Sequence, residues 1–311
     1  MIRADRALEV LAPGPLATVQ DLGRLGYTDL GVSRSGAADR GALRLANRLV
    51  GNSEAAAGIE ITLGGLVVRL SGAATVAFTG ARCQLTGHRG GWNSALSCPA
   101  GSVLSLGPPS SGLRSYLAVR GGLAVEPVLG SRSTDTLSGL GPAVLAAGRR
   151  LPIGAVAPGQ PGDVDGAVDA LGAGCELPAG TARLRLAPGP RADWFEPGSL
   201  GRLFDSPWQL RPDSNRIGTR LAGPALRLRP GTERAAAELP SEPTLPGALQ
   251  VPPDGQPIVL GPDAPVTGGY PVVGVLPGAD LGLLAQLRPG ARLRFVSVPI
   301  DPRSATAARP R

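Results

Sequence analysis

Acidic, basic and amide side chains are concentrated among glycines in residues 18–52, TVQDLGRLGYTDLGVSRSGAADRGALRLANRLVGN. Gln20, Asp21 and Arg24 are predicted to lie in a loop just after the first strand. An Asp there can orient a donor or hold a positive group, and an Arg can bind a carboxylate through a forked pair of hydrogen bonds. A local Asp–Arg pair that only ties the loop together is an equally good interpretation.

The same segment changes from loop to helix at Ala37 or Ala38. Ser35 and Asp39 are candidate N-cap residues, because a short side chain with an oxygen accepts hydrogen bonds from the unpaired N–H groups of a first turn. Asn47 is a poor interior helix former, which favours a role in binding a ligand or a loop. The helix, residues 37–50, has a buried stripe and a glycine terminator: Leu43, Ala46 and Val50, then Gly51.

Glu60 is the next candidate, because it alternates with Ile59 and Ile61 in a predicted half-buried strand. Its face either lines a cleft, where Glu60 could act as a general base, or meets solvent. Further along, residues 120–122 and 130–135 combine backbone N–H groups, hydroxyls and arginines that suit an anion, or a hydroxyl-capped turn. The candidate ligands there are Arg120, Arg132, Ser133 and Thr134.

A last polar cluster lies near the C-terminus, in Gln250, Gln256 and the run TGGY. Gly268 and Gly269 allow close approach of the backbone to a ligand, and Tyr270 offers a phenol. We expect Asp21, Arg24, Asp39, Glu60, Arg132 and Tyr270 to converge on one cleft between two lobes. The predicted catalytic residues are Asp21, Asp39, Glu60 and Tyr270, and the predicted substrate-binding residues are Gln20, Arg24, Asn47, Arg120, Arg132, Ser133, Thr134, Gln250, Gly268 and Gly269.

The basic composition excludes several kinds of chemistry. All 31 basic residues are Arg and the net charge is +7. A chain without Lys has neither a P-loop nor a Schiff-base lysine, and His88, the single histidine, cannot form a multi-histidine metal site. The arginines are spread out without interleaved aromatic residues, so we predict no nucleic-acid binding.

The cysteines and the apolar runs suggest a soluble intracellular protein. Cys83, Cys98 and Cys175 are too few and scattered for a disulfide framework. No apolar run approaches the ~20 residues of a membrane span, and the first residues lack the apolar core of a signal peptide. We therefore expect a cytoplasmic protein without membrane association, and a buried, inert thiol at Cys83.

The spacing of turns and alternating runs predicts a mainly β protein of two lobes with few short helices. The predicted organisation is an N-terminal lobe over residues 1–155, a Gly/Pro-rich connection over 156–180, a C-terminal lobe over 181–298 and a flexible tail over 299–311. LEVLAPGP and LRLAPGP, one in each half, suggest a duplication. The predicted strands are residues 7–11, 66–70, 75–79, 103–106, 116–119, 182–186, 225–228, 258–260, 272–276 and 293–298, with a second helix over 279–286.

An ordered series of motifs resembles the allophanate-hydrolase-subunit-2 family. The series begins with TVQDLGRLGY, GVSRSGAAD, RLANRLVGN and GIEITLGG, continues in YLAVRGGLAVEPVLGSRSTDT, and returns in NRIGTRLAGPAL, GALQVPPDGQPIVL, TGGYP and LAQLRPGARLRF. That family includes the C-type subunit of bacterial ATP-dependent 5-oxoprolinase and part of the carboxyltransferase domain of urea carboxylase. The resemblance implies that both lobes are cyclophilin-like β-barrels. The segment GPDAPVTGGY keeps Asp263, but it has Pro265 and Val266 where similar proteins have polar residues.

The resemblance implies a subunit of an ATP-dependent lactam hydrolase that converts 5-oxoproline to glutamate and is inactive alone. ATP would be shared with two partners, a subunit-B-like protein of related fold and a subunit-A-like lactam hydrolase. One alternative is a carboxyltransferase subunit of a urea-carboxylase-like enzyme, with carboxybiotin on a separate carrier. The other is a non-catalytic protein that antagonises a kinase inhibitor.

Overall fold

The computed structural model describes residues 6–89, 91–156, 180–232 and 239–299. The chain divides into two compact units, each built from several stretches of sequence. The first unit contains Met1–Leu177, Pro262–Ala264 and Gly282–Arg288, and the second contains Pro178–Gly261, Pro265–Leu281 and Pro289–Arg311. Nearly all of the predicted connection and tail, and Cys175, lie outside the described residues.

Two five-stranded antiparallel sheets form the first unit. The first sheet has the order β10-β1-β4-β8-β6, with β1 Ala7–Pro13, β4 Leu66–Leu70, β6 Cys83–Thr86, β8 Val103–Pro109 and β10 Arg150–Pro152. The second sheet has the order β2-β3-β9-β5-β7, with β2 Leu16–Gln20, β3 Gly58–Thr62, β5 Ala74–Gly80, β7 Ala95–Cys98 and β9 Arg114–Val119.

Side-chain alternation explains how the second sheet is covered on both faces. One face contributes Ile59, Phe78 and Leu117 to the core shared with the first sheet. The other face meets helix α1, Arg40–Leu49, whose buried residues pack against Tyr116 and Ala118. Because both faces are buried, β3 is not the half-buried strand that the sequence predicts.

The chain passes between the two sheets at a corner built from glycines. Gly14 lies between β1 and β2, Gly64 lies between β3 and β4, and both have positive φ, at 70° and 71°. A Cβ on Gly14 would lie 2.2 Å from the Gly64 carbonyl oxygen, and a Cβ on Gly64 would lie 2.1 Å from the Gly107 carbonyl oxygen. The strands can switch sheets here only because no side chain separates these backbones.

The second unit contains a closed barrel of seven strands in the order β11-β18-β15-β16-β13-β12-β19. All of its pairings are antiparallel except the parallel pair β11–β19. Its strands are β11 Ala182–Pro188, β12 Trp208–Leu210, β13 Gly218–Ala222, β15 Ala248–Gln250, β16 Ile258–Leu260, β18 Val272–Val275 and β19 Arg292–Ser297. A separate two-stranded antiparallel sheet pairs β14 Glu242–Pro243 with β17 Thr267–Gly268.

The predicted fold class, mainly β with few short helices, is confirmed. In the described part of the chain the α-helices are α1, α2 Pro197–Asp205 and α3 Leu281–Gln286, of which α2 was not predicted. Helix α1 begins at Arg40 and not at Ala37 or Ala38 as predicted, because Asp39 is its N-cap. The predicted strand over residues 225–228 is wrong, because only Leu228 forms an isolated bridge, to Phe195. None of the helices in the described part of the chain is long and apolar enough to span a membrane.

The glycine corner gives a stability prediction. Gly64→Ala should lower the free energy of unfolding more than Gly26→Ala. Both positions have positive φ, so each alanine costs about 1–2 kcal/mol in backbone strain. Only position 64 adds a clash, since nothing lies within 4 Å of a Cβ on Gly26, and overpacking adds about 1–3 kcal/mol. Urea unfolding curves of both variants provide the measurement, and equal losses would contradict the proposed close approach.

Candidate functional site

Asp21 is the centre of the first polar cluster, which joins two loops of the first unit. Its carboxylate accepts hydrogen bonds from the hydroxyls of Ser131 at 2.7 Å and Ser133 at 2.6 Å. It also accepts from the backbone N–H groups of Gly23 at 2.8 Å and Arg132 at 2.6 Å. A buried carboxylate with four donors cannot move without breaking these hydrogen bonds. The predicted pair of Asp21 with Arg24 is replaced by these contacts.

Arg24 lies beside this cluster and is only 3% exposed. Its guanidinium donates to the carbonyl oxygens of Val128, at 3.2 Å, and Ser133. Burial lowers the pKa of Arg24, while the carboxylates of Asp135 and Asp21 act in the opposite direction. The Arg24 side chain therefore stabilises the loop from within the first unit. The forked contact with a ligand that the sequence suggests would have to use Nη1, the guanidinium nitrogen that has no partner among the described residues.

Asp135 anchors the end of the same loop. One carboxylate oxygen accepts from the Ser33 hydroxyl at 2.6 Å, and the other accepts from the backbone N–H groups of Leu137 and Ser138 at 2.9 and 3.2 Å. Burial alone would raise the pKa of Asp135, but these hydrogen bonds outweigh it and hold the pKa below its usual value.

Asp263 enters the first unit from the short segment Pro262–Ala264. It accepts hydrogen bonds from the Ser35 hydroxyl at 2.7 Å and from both the backbone N–H and the hydroxyl of Thr136, at 3.0 and 2.8 Å. Asp21, Asp135 and Asp263 therefore fasten the loops around residues 21–36 and 131–138 at three points.

Three buried polar atoms beside these loops have no hydrogen-bond partner among the described residues: Gln20 Oε1, Arg24 Nη1 and Thr134 Oγ1. They lie near one another, because Gln20 donates to the Thr134 carbonyl oxygen at 2.9 Å and Arg24 donates to that of Ser133. Native folds keep few such atoms. They mark the part of the first unit where a polar ligand would gain both donors and acceptors.

A second polar cluster lies under the start of α1. Tyr116 donates to Glu60 at 2.8 Å, and the same Glu60 oxygen accepts from the backbone N–H of Ala38 at 2.8 Å. The Tyr116 hydroxyl in turn accepts from the Asp39 N–H at 2.7 Å. Asp39 caps the helix by accepting from the Ala42 N–H at 3.0 Å, which confirms the predicted N-cap.

Gln286, the last residue of α3, completes this cluster. Its amide nitrogen donates to Asp39 at 2.8 Å and to the Arg114 carbonyl oxygen at 2.9 Å. Its amide oxygen accepts from the N–H groups of Leu113 and Arg114 at 3.1 and 3.0 Å. The Arg114 guanidinium lies 3.5 Å from Glu60. Gln286 and Arg114 were both missed as site residues in the sequence. Gln286 lies in the motif LAQLRPGARLRF, which could have singled it out, whereas Arg114 lies just before the motif that begins at Tyr116.

Glu60 is 1% exposed, so the expectation that its face of β3 is open to a cleft or to solvent is wrong. Helix α1 covers that face, and Glu60 pairs directly with Tyr116 on β9. Burial, with a contribution from the neighbouring Glu60 carboxylate, raises the pKa of Tyr116 well above its usual value, so the phenol stays a neutral donor. Burial also raises the pKa of Asp39, against the hydrogen bonds from Gln286 and Ala42.

Asn47 is fully buried and holds the loop that follows α1. Its amide nitrogen donates to the Ala56 carbonyl oxygen at 2.8 Å, and its oxygen accepts from Asn52 at 3.1 Å. Asn52 also donates to the Val119 carbonyl oxygen and accepts from the Gly121 N–H, both at 2.8 Å. These contacts support the interpretation in which Asn47 binds a loop. They use both the nitrogen and the oxygen of its amide, so neither is left for a substrate.

The two other predicted arginines differ in their surroundings. Arg132 is partly exposed, and its Nε donates to the Val125 carbonyl oxygen at 2.7 Å. Its Nη atoms have no hydrogen-bond partner among the described residues. Arg120 is also partly exposed, and its backbone N–H donates to the Thr75 carbonyl oxygen at 2.8 Å. Arg132 is thus the predicted arginine whose outer nitrogens can bind an anion.

The remaining predicted residues, Gln250, Gly268, Gly269 and Tyr270, belong to the second unit. Gln250 donates to the Tyr270 carbonyl oxygen at 3.3 Å, and a Cβ on Gly268 would lie 2.5 Å from the Gln250 amide nitrogen. The side chain of Tyr270 is 45% exposed and, with Gly269, lines a cavity of about 640 Å³ in this unit. A catalytic role for Tyr270 and a single cleft for all the predicted residues stay predictions.

The first unit therefore combines Arg132, whose outer nitrogens have no partner among the described residues, with carboxylates held by several hydrogen bonds and with unpartnered buried amide and hydroxyl groups. This arrangement suits the binding and polarisation of a polar substrate with a negative group. In the described ranges, no three His, Cys, Asp or Glu side chains are grouped as a metal ion would require. His88 is exposed, with its Nε2 atom 3.1 Å from the Ser97 carbonyl oxygen. Burial raises the pKa of Cys83, as expected for an inert thiol.

Asp135 provides a pH prediction. A carboxylate with a depressed folded-state pKa stabilises the fold above its unfolded pKa of about 3.9 and loses that contribution as pH falls through the folded value. Asp135→Asn should therefore be less stable than wild type at pH 7, and the difference should shrink below about pH 4. Urea unfolding between pH 7 and 3 measures this, with the exposed Asp29→Asn as control. A difference that persists unchanged at pH 3 would contradict the ionic contribution.

The chain has close relatives among characterised proteins. It is 42% identical to the C-type subunit of 5-oxoprolinase from Escherichia coli (strain K12), over 94% of this chain and 92% of that one. It is 31% identical to the corresponding 5-oxoprolinase subunit of Haemophilus influenzae, with the same coverage of 94% and 92%. Urea amidolyase of Saccharomyces cerevisiae is 33% identical over 93% of this chain, which spans only 16% of that larger protein.

Solved structures agree with these relationships. The crystal structure of the Kluyveromyces lactis urea amidolyase matches 94% of this chain with a TM-score of 0.85 and 31% identity, although the chain spans 19% of that protein. TTHA0988 matches 94% with a TM-score of 0.81 and 37% identity, and the chain spans 56% of its length. The family described as carboxyltransferase domain, subdomain A and B, matches residues 30–297. The chain therefore belongs to this carboxyltransferase domain family.

Proposed function

We propose that this chain is the C-type subunit of an ATP-dependent 5-oxoprolinase, which hydrolyses 5-oxoproline to glutamate. The observation that carries the proposal is the end-to-end match with the Escherichia coli 5-oxoprolinase subunit, at 42% identity and over 94% and 92% of the two chains. The urea amidolyases, by contrast, are several times longer than the matched region. The match with the 5-oxoprolinase subunit, at higher identity than the 33% with urea amidolyase, supports the first proposal over the second.

The reaction requires the amide carbon of a lactam to become electrophilic. An amide carbonyl reacts poorly with water, and transfer of a phosphoryl group from ATP to its oxygen would activate the carbon. Guanidinium and backbone N–H groups would then stabilise the added negative charge. Arg132 and the unpartnered atoms of Gln20, Arg24 and Thr134 are the groups of the first unit that support a substrate site.

Arg132 is the better candidate for holding the substrate carboxylate. Its Nε is fixed by the Val125 carbonyl oxygen and its backbone N–H by Asp21, so the guanidinium is positioned in advance. Arg24 is almost fully buried and holds two carbonyl oxygens of the loop. We therefore propose that Arg24 stabilises the loop that forms the site and that Arg132 contacts the substrate.

The proposed complex contains two further proteins, a subunit-B-like protein of related fold and a subunit-A-like lactam hydrolase. ATP would bind in the complex, because the chain has no Lys and hence no P-loop. The relationship to urea amidolyase favours a second candidate, a carboxyltransferase subunit. Carboxybiotin would then arrive on a separate carrier, since this chain has no Lys to biotinylate.

We predict that the isolated chain does not hydrolyse ATP when 5-oxoproline is added, whereas the complex with the A-like and B-like proteins does. Size-exclusion chromatography with light scattering should show that the co-expressed proteins elute together. ATP turnover should fall to background when this chain is omitted from the mixture. Robust turnover by the isolated chain would refute the subunit proposal, and carboxyl transfer from carboxybiotin without 5-oxoproline hydrolysis would favour the second candidate.

Substitutions at the two arginines separate substrate binding from loop structure. Arg132→Ala should raise the KM for 5-oxoproline about 10- to 100-fold, because a charged hydrogen bond contributes about 1.5–3 kcal/mol. Its melting temperature should change little. Arg24→Ala should instead lower the melting temperature of the chain, because it leaves two loop carbonyls without their donor. Kinetics of the complex and thermal melting of the chain test both, and an unchanged KM in Arg132→Ala would exclude the proposed contact.

A further inference from the structure

Four arginine side chains that neither polar cluster of the candidate site uses lie on α1 and in the loop before it. Arg34 precedes the helix, Arg40 is its first residue, and Arg44 and Arg48 follow at successive intervals of four residues. Residues spaced by four share one side of a helix, so Arg40, Arg44 and Arg48 form a row. We refer to Arg34, Arg40, Arg44 and Arg48 as the arginine row.

The guanidinium groups of Arg34 and Arg40 have no hydrogen-bond or ion-pair partner among the described residues. Both are partly buried, and the Nε atom of Arg34 is buried without a partner. Lower in the row, Glu54 is shared, since its carboxylate lies 3.5 Å from Arg44 and 2.8 Å from Arg48. Among the described residues, Glu54 is thus the one carboxylate paired with the arginine row. It contacts Arg44 and Arg48, at the opposite end of the row from Arg34.

The arginines also act on one another. Burial, followed by the charges of Arg34 and Arg44, lowers the pKa of Arg40 to about 10. Burial and the charge of Arg44 likewise lower the pKa of Arg34. No carboxylate contributes to either shift. A folded chain gains nothing from partly burying two like charges without a counter-ion, and a bound anion would supply that counter-charge.

We infer that Arg34, Arg40 and Arg44 form a binding site for a phosphoryl group. The planar guanidinium forks match the oxygens of a phosphate and can each bind it through two hydrogen bonds. A phosphate at neutral pH carries close to two negative charges, and would neutralise most of the excess charge of the upper row. A carboxylate carries one charge and would leave the repulsion between the remaining arginines.

The helix N-terminus is not what holds this ligand, because the Asp39 carboxylate already caps α1 through the Ala42 N–H. The arginine side chains therefore carry the proposed site. The proposed site does not include Arg132 or the unpartnered atoms of Gln20 and Thr134. Arg34 nevertheless belongs to the loop that Asp21 fastens, since its carbonyl oxygen accepts from the Arg24 N–H at 2.7 Å. Two sources can supply the same group, inorganic phosphate or the phosphates of a nucleotide.

The test uses the full chain at fixed ionic strength, because salt screens exposed charges. Binding of inorganic phosphate and of ATP without magnesium is measured by isothermal titration calorimetry, and thermal melting is followed with each ligand. The variants are Arg34→Gln and Arg40→Gln. The control is Arg69→Gln, which removes an exposed arginine that is already paired with Glu9 at 3.2 Å.

Phosphate should bind the wild type and raise its melting temperature. Each of Arg34→Gln and Arg40→Gln should weaken phosphate binding about 10- to 100-fold, whereas Arg69→Gln should leave it unchanged. Without phosphate, Arg40→Gln should melt at a higher temperature than wild type, because it relieves the repulsion. Tighter binding of ATP than of phosphate would identify a nucleotide site, and equal binding a site for free phosphate. Equal phosphate affinity in Arg40→Gln and wild type would overturn the inference.

Discussion

The buried carboxylate of Asp21 is the constraint on which the loops of the first unit depend. A carboxylate is buried without a large free-energy cost only if hydrogen-bond donors replace its lost hydration. Here Gly23, Ser131, Arg132 and Ser133 supply four donors. This requirement fixes the loop after β2 against the loop around residue 132, and so fixes where the Arg132 guanidinium is presented. The substrate contact proposed for Arg132 is thus a consequence of the way Asp21 is satisfied.

Local elements of the fold could be predicted from the sequence where alternation or capping is clear. The bounds of β4 and β16 are as predicted, since each is a short apolar run closed by turn residues. The predicted N-cap Asp39 and terminator Gly51 are both confirmed, because capping is a local requirement. Helix α2 was missed because it contains two glycines and a proline, residues that usually mark loops.

The surroundings of the candidate site were less predictable, because they depend on partners far apart in the chain. Asp39 and Gln286 are 247 residues apart, and Ser35 and Asp263 are 228 apart. No local pattern reports such contacts. Glu60 shows the effect most clearly: its alternation with isoleucines correctly indicates a strand, but only the packing of α1 decides that both faces of the strand are buried. The sequence therefore identified polar residues of the candidate site but not the residues that they contact.

Residues 262–264 and 282–288 belong to the first unit, although the ribosome makes them long after the rest of that unit. When the ribosome has released the first 177 residues, Ser35, Thr136 and Asp39 still lack the partners that Asp263 and Gln286 provide. At about 5–20 residues per second, the nascent first unit waits roughly 5–20 s for the last of these groups. During that interval its two sheets can assemble while the polar residues at the start of α1 remain unsatisfied. Completion of the first unit therefore waits for segments made during synthesis of the second unit, although most of its own sequence is made first.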